Sequence, residues 1–415
     1  MIKFTIDKVF FLLLVLTPII DSINGYFMQV TKLGSVIGPI YRLILYVFML
    51  ACFFYKNSFN KIFKLGIVII YFIFIGFIFS FNDSKDAIFY NLNNIIKLFF
   101  PILIIEAYRN LNIKEIIKKD TISKIFKYYS VIFPMTIIPF TLIGKSLSVY
   151  SNGAGAKGFY KANNELNIIL VTLLIYNFNN LFYKKNKLKN GLLTLLNFCC
   201  LFLIGSKTTI IALLIIIIAY LFINLKKFKV LNNILLGVIV VLVIYIVNKV
   251  YYDQIYLAFQ RQIYFYNLYE DNLSSYILSS RNILLGYAID SLKSSNNFIL
   301  NFIIGFSPYD ISQEIGFNIG RANRIIEMDF FDLFFSYGLV GIAFIYTYYL
   351  SVIKKSIRKI KNSKLEYSYL IGYIFIMGFS TFAGHVLFSA MASTIFALIC
   401  CGMISIEHES IIKNT

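Results

Sequence analysis

The sequence has little charge, only two histidines and no tryptophan. Charged residues make up 14% of its 415 residues, whereas 59% are hydrophobic, and the mean hydropathy is +0.75. A soluble domain is about one quarter charged, so these values exclude an ordinary soluble fold. Because a transmembrane helix needs about 20 mostly apolar residues, the long apolar runs predict an all-α polytopic integral membrane protein.

The few cysteines and histidines exclude several kinds of site. His385 and His408 are far apart, and no group of His, Cys and carboxylate residues has the sequence spacing of metal ligands. A glycine-rich phosphate loop is missing as well. We therefore expect neither a metal nor a cofactor. Five cysteines lie inside apolar runs and are interpreted as small core residues: Cys52, Cys199, Cys200, Cys400 and Cys401.

About twelve apolar segments are predicted to cross the membrane. The first resembles a signal peptide, but it continues past Pro18 to Phe27 without a small-residue cleavage site, so we predict a span. The predicted organisation is spans 1–9 in residues 1–251, a loop in 252–328, and spans 10–12 with a cytoplasmic tail in 329–415. The segments are 8–28, 34–55, 62–81, 87–108, 125–144, 162–182, 191–206, 207–224, 230–250, 329–352, 367–384 and 385–406.

The positive charge is concentrated in short links between the apolar segments. A net charge of +19 in a soluble protein would indicate nucleic acid, but here the Lys and Arg residues fall mostly in every second link. This alternation is the positive-inside pattern, so no nucleic-acid partner is expected. It places both chain termini in the cytoplasm and residues 252–328 on the outer side of the membrane.

The loop at 252–328 is the only long polar passage, and its aromatic residues allow it to pack. Apolar residues at 277, 284, 285, 288 and 292 have helical spacing, which predicts an amphipathic helix on the membrane surface or on the spans. Arg281 falls on the apolar face of that helix. A guanidinium on a packed face needs a partner, which is either a structural salt bridge or an anionic ligand.

Three acids follow within six residues of one another at the end of the loop. Asp329 and Asp332 share one helix face, and Glu327 lies just before them. Acids at a helix N-terminus cap free N–H groups, which explains one acid, and we expect Asp329 to have that role. Ionisable residues at the edge of a span often mark function, so at least one of the three is predicted to be functional.

Four short stretches stand out in order along the chain. They are Gly158-Phe159 followed by Asn163 and Asn164, Gly205-Ser206-Lys207, Ser280-Arg281 followed by Ala288, and Glu327 through Gly338-Leu339-Val340-Gly341. In this order they resemble the O-antigen polymerase and O-antigen ligase family of bacterial envelope glycosyltransferases. In that family an Arg stands at the position of Lys207, and the ligases carry a His-Asn pair where Glu327 stands here, eleven residues before Gly338. The acid at 327 favours a polymerase over a ligase.

The resemblance implies a GT-C-like fold with one large extracytoplasmic loop between spans 9 and 10, in a bacterial cytoplasmic membrane. The implied substrate is an oligosaccharide repeat unit on undecaprenyl pyrophosphate, held at the outer leaflet of the bilayer. The implied activity is polymerisation of these units into a capsule, an O-antigen or another exopolysaccharide. A chain-length regulator and a flippase are implied as partners.

The same resemblance implies a role for each candidate residue. A leaving diphosphate needs fixed cations, and we assign Arg281 with Lys207, Arg321 or Arg324. An acceptor hydroxyl needs a base, for which Glu327 is the first candidate, Asp329 the second and His385 the third. Binding of pyrophosphate or sugar is assigned to Lys157, Asn163 and Asp332.

Two alternatives remain open at this point. One is a ligase-type transferase, and the other is a flippase for lipid-linked oligosaccharides. A flippase needs charges in both halves of its cavity. In the first half of this chain, the only cations away from the ends of the predicted spans are Arg42 and Lys97.

Overall fold

The computed structural model is helical almost throughout the part of the chain that it describes. That part comprises residues 2–31, 36–78, 85–118, 120–150, 153, 155–183, 186–206, isolated positions between 256 and 267, 273–360, 367–382 and 384–412. Its helices are α1 (Ile2–Gln29), α2 (Ile37–Phe54), α3 (Phe59–Ile78), α4 (Lys85–Ile113), α5 (Thr121–Leu142), α6 (Asn163–Tyr183), α7 (Lys187–Ile204), α8 (Leu273–Leu278), α9 (Arg281–Ser294), α10 (Phe298–Ile304), α11 (Pro308–Asn318), α12 (Asp329–Ile360), α13 (Tyr367–Phe382) and α14 (Ala390–Ile412).

Seven of these helices are long and apolar enough to cross a membrane: α2 to α7, and residues Asp329–Lys354 of α12. The prediction of an all-helical, multi-pass membrane protein is therefore confirmed. α1, α13 and α14 also fall on predicted segments, whereas the segments 207–224 and 230–250 lie outside the described residues. The total of twelve spans and the GT-C-like arrangement stay predictions.

The chain forms two compact units, and neither is continuous in sequence. The first comprises Met1–Leu13, Tyr41–Ser123 and Asp271–Thr415, and the second comprises Leu14–Ile40 and Lys124–Glu270. In the first unit α14 packs against α4, α12 and α13. In the second unit α6 packs against α7, and Asn190 Nδ2 donates to the Asn180 carbonyl at 3.1 Å. The division of the sequence at 251 and 328 stays a prediction.

The end of the predicted loop is a packed helical layer in the first unit. α9 buries Arg281, Leu284, Ala288 and Leu292, so the arginine lies on the packed face of this helix. The apolar residues join Ile311 and Ile315 of α11 in one core cluster with Phe335 of α12. The helix begins later than its spacing predicts, because left-handed Ser279 and Ser280, with φ of 55° and 66°, separate it from α8.

A close backbone approach joins this layer to α12. Phe306 N donates to the Phe335 carbonyl at 2.8 Å, and Ser307 N donates to the Ser336 carbonyl at 3.1 Å. The helical path of α12 breaks at Gly338, where φ is 65° and an added Cβ would lie 2.2 Å from the Ile303 carbonyl oxygen. Only glycine tolerates both that φ and that contact. The first glycine of the Gly338-Leu339-Val340-Gly341 stretch therefore fixes the loop against the span.

Candidate active site

A small open cleft of about 20 Å³ lies where the loop enters α12. Five parts of the first unit line it: the N-terminal half of α4, the helix α11, the link between α11 and α12, the first turns of α12, and the link between α13 and α14. Buried Asn91 ties α4 to α11, because its Oδ1 accepts the Tyr309 N–H at 2.9 Å. Polar groups at the wall of the cleft come from Tyr90, Asn94, Ser312, Arg324, Asp332, Ser336 and His385.

Two arginines share one carboxylate beside this cleft. Arg281 Nη2 lies 3.0 Å from Glu327 Oε2, and Arg324 Nη2 lies 3.2 Å from Glu327 Oε1. The Arg281 side chain is 9% exposed and that of Glu327 is 26% exposed. Glu327 is therefore the partner that was expected for an arginine on the packed face of this helix. With two guanidinium groups for one carboxylate the cluster keeps a net positive charge, which suits an anionic ligand.

Arg281 retains hydrogen-bonding capacity in this arrangement. Its Nε atom is buried and makes no hydrogen bond with any described residue. A guanidinium has five N–H donors in a planar fork, so the ion pair with Glu327 engages only one side of it. The same side chain can therefore hold Glu327 and offer donors to phosphate oxygens.

The backbone at Glu327 has a left-handed conformation, with φ of 64°. For a residue with a side chain this conformation costs about 1–3 kcal/mol and persists only when its surroundings fix it. Asp332 provides that constraint, since its Oδ1 accepts the Ile326 N–H at 2.9 Å and its Oδ2 accepts the Met328 N–H at 3.0 Å. Asp332 rather than Asp329 therefore caps the start of α12, which corrects the expectation from the sequence.

Asp329 is fully buried and reaches a different segment. Its Oδ2 accepts the Ser380 hydroxyl at 2.6 Å and the backbone N–H groups of Val386 and Leu387 at 2.7 and 2.9 Å. These bonds tie the link between α13 and α14 to the first turn of α12. The predicted role of Asp329 as the second candidate base has no solvent-facing oxygen to support it, because the side chain is fully buried.

His385 lies in this link and not at the start of a helix, because α14 begins at Ala390. Its ring packs parallel to Phe388, with centroids 5.8 Å apart, and its Nδ1 lies 3.6 Å from Asp329 Oδ1. That distance is longer than a hydrogen bond. Burial, followed by the nearby Lys97 cation, lowers the pKa of His385 to about 4, and the Glu327 carboxylate opposes this only in part. The imidazole is therefore neutral at physiological pH.

Asp329, Asp332 and His385 each place one possible metal-ligand atom within 4.8 Å of the others. The spacing of these residues along the sequence did not predict this grouping, because it combines two separate segments. Both oxygens of Asp332 and one oxygen of Asp329 accept N–H or O–H groups. A carboxylate oxygen that binds a metal directs a lone pair at the ion. Because these oxygens already accept hydrogen bonds, the group fits a hydrogen-bonded structural role better than a metal site.

The remaining predicted site residues are not part of the cluster formed by Arg281, Glu327 and Arg324 in the described part of the chain. Arg321 is exposed and joins none of the ion pairs found among the described residues. Lys207 lies outside the described residues. Lys157 and Asn163 belong to the second unit, where Lys157 Nζ donates to the Lys161 carbonyl at 3.1 Å and Asn163 Nδ2 donates to the Val149 carbonyl at 2.8 Å. Burial lowers the pKa of Lys157.

Several groups at the cleft were not predicted as site residues. Tyr90 and Asn94 line it from α4, and Lys97 acts electrostatically on His385. These three residues are spaced i, i+4 and i+7, so they form one polar stripe along α4. This polar stripe is the sequence pattern that could have indicated these residues as part of the site. Ser380, which donates to Asp329, gives no comparable signal in the sequence.

One known family matches this part of the chain. Residues 260–409 match a family model described as O-antigen ligase like membrane protein. This range includes α8 to α13 and most of α14, and with them Arg281, Glu327, Asp329 and His385. The resemblance to the O-antigen polymerase and ligase family is therefore confirmed for this C-terminal part. Searches of curated proteins and of solved structures found no match.

Proposed function

We propose that this protein polymerises oligosaccharide repeat units carried on undecaprenyl pyrophosphate, by metal-independent glycosyl transfer at the outer face of the cytoplasmic membrane. The observation that carries the proposal is the cluster of Arg281, Glu327 and Arg324 beside the cleft. The cluster lies within the residues matched by the O-antigen ligase-like family. The match supports a membrane transferase acting on lipid-linked glycans, and the charged cluster beside the cleft supports the finer proposal of a polymerase.

In the proposed reaction a sugar hydroxyl of one lipid-linked unit attacks the anomeric carbon of the chain held on a second carrier. A carbon–oxygen bond forms at that carbon, and its bond to the lipid diphosphate breaks. The hydroxyl proton passes to a base, and the diphosphate leaves with the bonding electron pair. The protein must therefore stabilise the leaving anion and accept one proton.

Arg281 and Arg324 are the proposed cations for the diphosphate. Their guanidinium groups converge on one carboxylate within 3.2 Å, so they are close enough to act on one anion. Arg281 is held in a packed helix, and a preorganised donor stabilises developing charge better than a mobile one. Lys207 and Arg321 stay as predicted further contacts, as do Lys157 and Asn163 for pyrophosphate or sugar.

Glu327 is the proposed base, and Asp329 and Asp332 are proposed to position the reacting groups. Glu327 is partly exposed, whereas the two aspartates are buried and hold backbone N–H groups. His385 is the second proposed base, because it lines the cleft in its neutral form. Substitution of these two residues separately distinguishes their roles.

The glycan profile of a strain that lacks this protein tests the function. We expect the long chains to disappear while single repeat units remain attached to their normal acceptor. Loss of every unit from the outer face, with lipid-linked units retained inside the cell, would instead identify a flippase.

One observation favours a ligase-type transferase as the second candidate, namely the description of the matching family model. A ligase would transfer whole chains to a different acceptor. In that case a strain without the protein would keep long chains on the lipid carrier and lose them from the final acceptor. Polymerase and ligase therefore give opposite results for the length of the lipid-linked chains.

A further inference from the structure

Three lysines gather at the end of α4 that lies away from the cleft. Lys56 is in the link between α2 and α3, Lys61 is in the first turn of α3, and Lys114 directly follows α4. The ammonium groups of Lys56 and Lys114 lie 5.6 and 5.4 Å from the centroid of the Tyr55 ring. None of the three belongs to the ion pairs found among the described residues.

The link that carries these lysines is held in a defined shape. Asn110 Nδ2 donates to the Cys52 and Tyr55 carbonyls at 2.8 and 2.9 Å, and Lys114 Nζ donates to the Tyr55 carbonyl as well. These bonds satisfy the free carbonyl groups at the end of α2. The charges are therefore brought together by the fold, although they repel one another: burial lowers the pKa of Lys114, and the Lys56 and Lys61 cations lower it further.

An apolar cavity of about 120 Å³ lies between α2, α3 and α4 in the same half of these helices. Its lining includes Phe53 and Phe54 at the end of α2 and Ile62 and Gly66 in the first half of α3. Ile62 follows Lys61 directly, so the cavity begins where the charged cluster ends.

This cluster and the active-site cleft belong to opposite membrane surfaces. Tyr90 and Asn94 of α4 line the cleft, whereas Lys114 follows the other end of the same helix. At a rise of 1.5 Å per residue, the roughly 20 residues between them span about 30 Å, the thickness of the hydrocarbon core. The positive-inside pattern assigns Lys56 and Lys61 to the cytoplasmic surface, whose leaflet is rich in anionic lipids.

We propose that this site binds one anionic phospholipid of the leaflet opposite the cleft. Lys56, Lys61 and Lys114 hold its phosphate, and the cavity between α2, α3 and α4 holds one of its acyl chains. A cluster of like charges with an apolar cavity beside it fits a ligand that has both an anionic head and a hydrocarbon tail. This inference is independent of the proposed glycosyl transfer.

Lipid titration of the purified full-length protein in neutral detergent tests the proposal. The thermal unfolding midpoint is measured with added phosphatidylglycerol, with phosphatidylcholine of the same acyl chains, and with inorganic phosphate. We expect phosphatidylglycerol alone to raise the midpoint in a saturable way, because binding to the folded state stabilises it. An equal rise with phosphatidylcholine, or a full rise with inorganic phosphate, overturns the proposal.

Two variants separate the head and tail contributions. In the triple variant Lys56→Gln, Lys61→Gln, Lys114→Gln, apparent affinity for phosphatidylglycerol should fall about a hundredfold, since each lysine contributes about a fivefold factor near an anionic lipid. Gly66→Phe should weaken binding with all charges intact, because an added Cβ at Gly66 meets nothing within 4 Å and the ring can occupy the cavity.

The matched control is Lys64→Gln, an exposed lysine of α3 that is not among the charges acting on Lys114. It should bind phosphatidylglycerol as the unmodified protein does. If Lys64→Gln weakens binding as much as the triple variant does, the site is only diffuse surface charge. If Gly66→Phe binds normally, the assignment of the cavity to an acyl chain is wrong.

Discussion

The carboxylate of Asp332 fixes the backbone on both sides of Glu327. It accepts the N–H groups of Ile326 and Met328 at 2.9 and 3.0 Å, while Glu327 between them has a left-handed φ of 64°. A strained residue held by a buried neighbour is typical of functional sites. The backbone at Glu327 is thereby fixed in the conformation in which its carboxylate contacts Arg281 and Arg324.

Asp332→Ala should reduce chain elongation strongly. The substitution leaves two buried N–H groups without acceptors, at about 1–3 kcal/mol each, and releases Glu327 from its conformation. We expect elongation to fall about 10- to 100-fold, because displacement of a catalytic group by about 1 Å has effects of this size. The lengths of the polysaccharide chains in complemented cells measure elongation, and thermal unfolding measures stability.

Asp290→Ala is the matched control for that substitution, because Asp290 is an exposed carboxylate of α9 in the same loop. It should change neither property. Asp332→Asn keeps one carbonyl acceptor and should lose less activity than Asp332→Ala. Normal chain length with Asp332→Ala would remove the positioning role.

Arg281→Ala should abolish elongation while the protein stays in the membrane. The variant loses a donor for the diphosphate and leaves Glu327 with Arg324 alone. Arg281→Lys keeps the charge but not the planar fork, so we expect at most partial activity. The lengths of the chains and the amount of protein in isolated membranes are measured together.

Arg321→Ala provides the matched comparison for Arg281. Arg321 lies in the same loop and carries the same charge, but it is exposed and outside the ion-paired cluster. Its loss should reduce elongation less than the loss of Arg281. Normal-length polymer from Arg281→Ala would remove this arginine from the mechanism.

Glu327→Gln should block elongation, with lipid-linked single repeats accumulating on the outer face. The amide keeps the size of the side chain but cannot accept the hydroxyl proton, and loss of a general base costs about 10²- to 10⁴-fold in rate. Glu314→Gln, at an exposed position of α11, is the control. Accumulation of the units inside the cell would support the flippase alternative.

The sequence predicted the helices well because their signals are local. Apolar runs of membrane length and helical spacing around Arg281 depend only on neighbouring residues. The break before Arg281 was missed, since serine at 279 and 280 is not the residue type that usually marks a left-handed backbone. The link that carries His385 was merged into a helix because its apolar residues continue the pattern of α14.

The partners of the charged residues were harder to predict. The sequence located Arg281, Glu327 and the two aspartates, but it did not indicate that Glu327 pairs with Arg281, 46 positions away. It also assigned the capping role to Asp329 instead of Asp332, because both lie on one helix face. Their roles separate only in three dimensions, where one binds the backbone next to Glu327 and the other binds the link at 386–387.

Removal of divalent metal should leave elongation unchanged. Three of the four carboxylate oxygens of Asp329 and Asp332 accept hydrogen bonds, at 2.6 to 3.0 Å. Isolated membranes treated with EDTA and then washed should extend lipid-linked repeats at the untreated rate. Loss of activity with EDTA, and its recovery with one added divalent metal, would instead assign a metal to Asp329, Asp332 and His385.

His385 should make the stability of the protein sensitive to acid. Its pKa is about 4 in the folded protein against 6.5 for an ordinary histidine, so the unfolded chain binds the proton first as the pH falls. The stability that neutral His385 contributes is therefore complete above about pH 6.5 and is lost progressively between pH 6.5 and 4. The thermal midpoints of the unmodified protein and of His385→Gln, measured in detergent from pH 7.5 to 4, check this. The midpoint of the unmodified protein should fall more steeply below pH 6.5, and parallel profiles would show that His385 does not titrate as its burial implies.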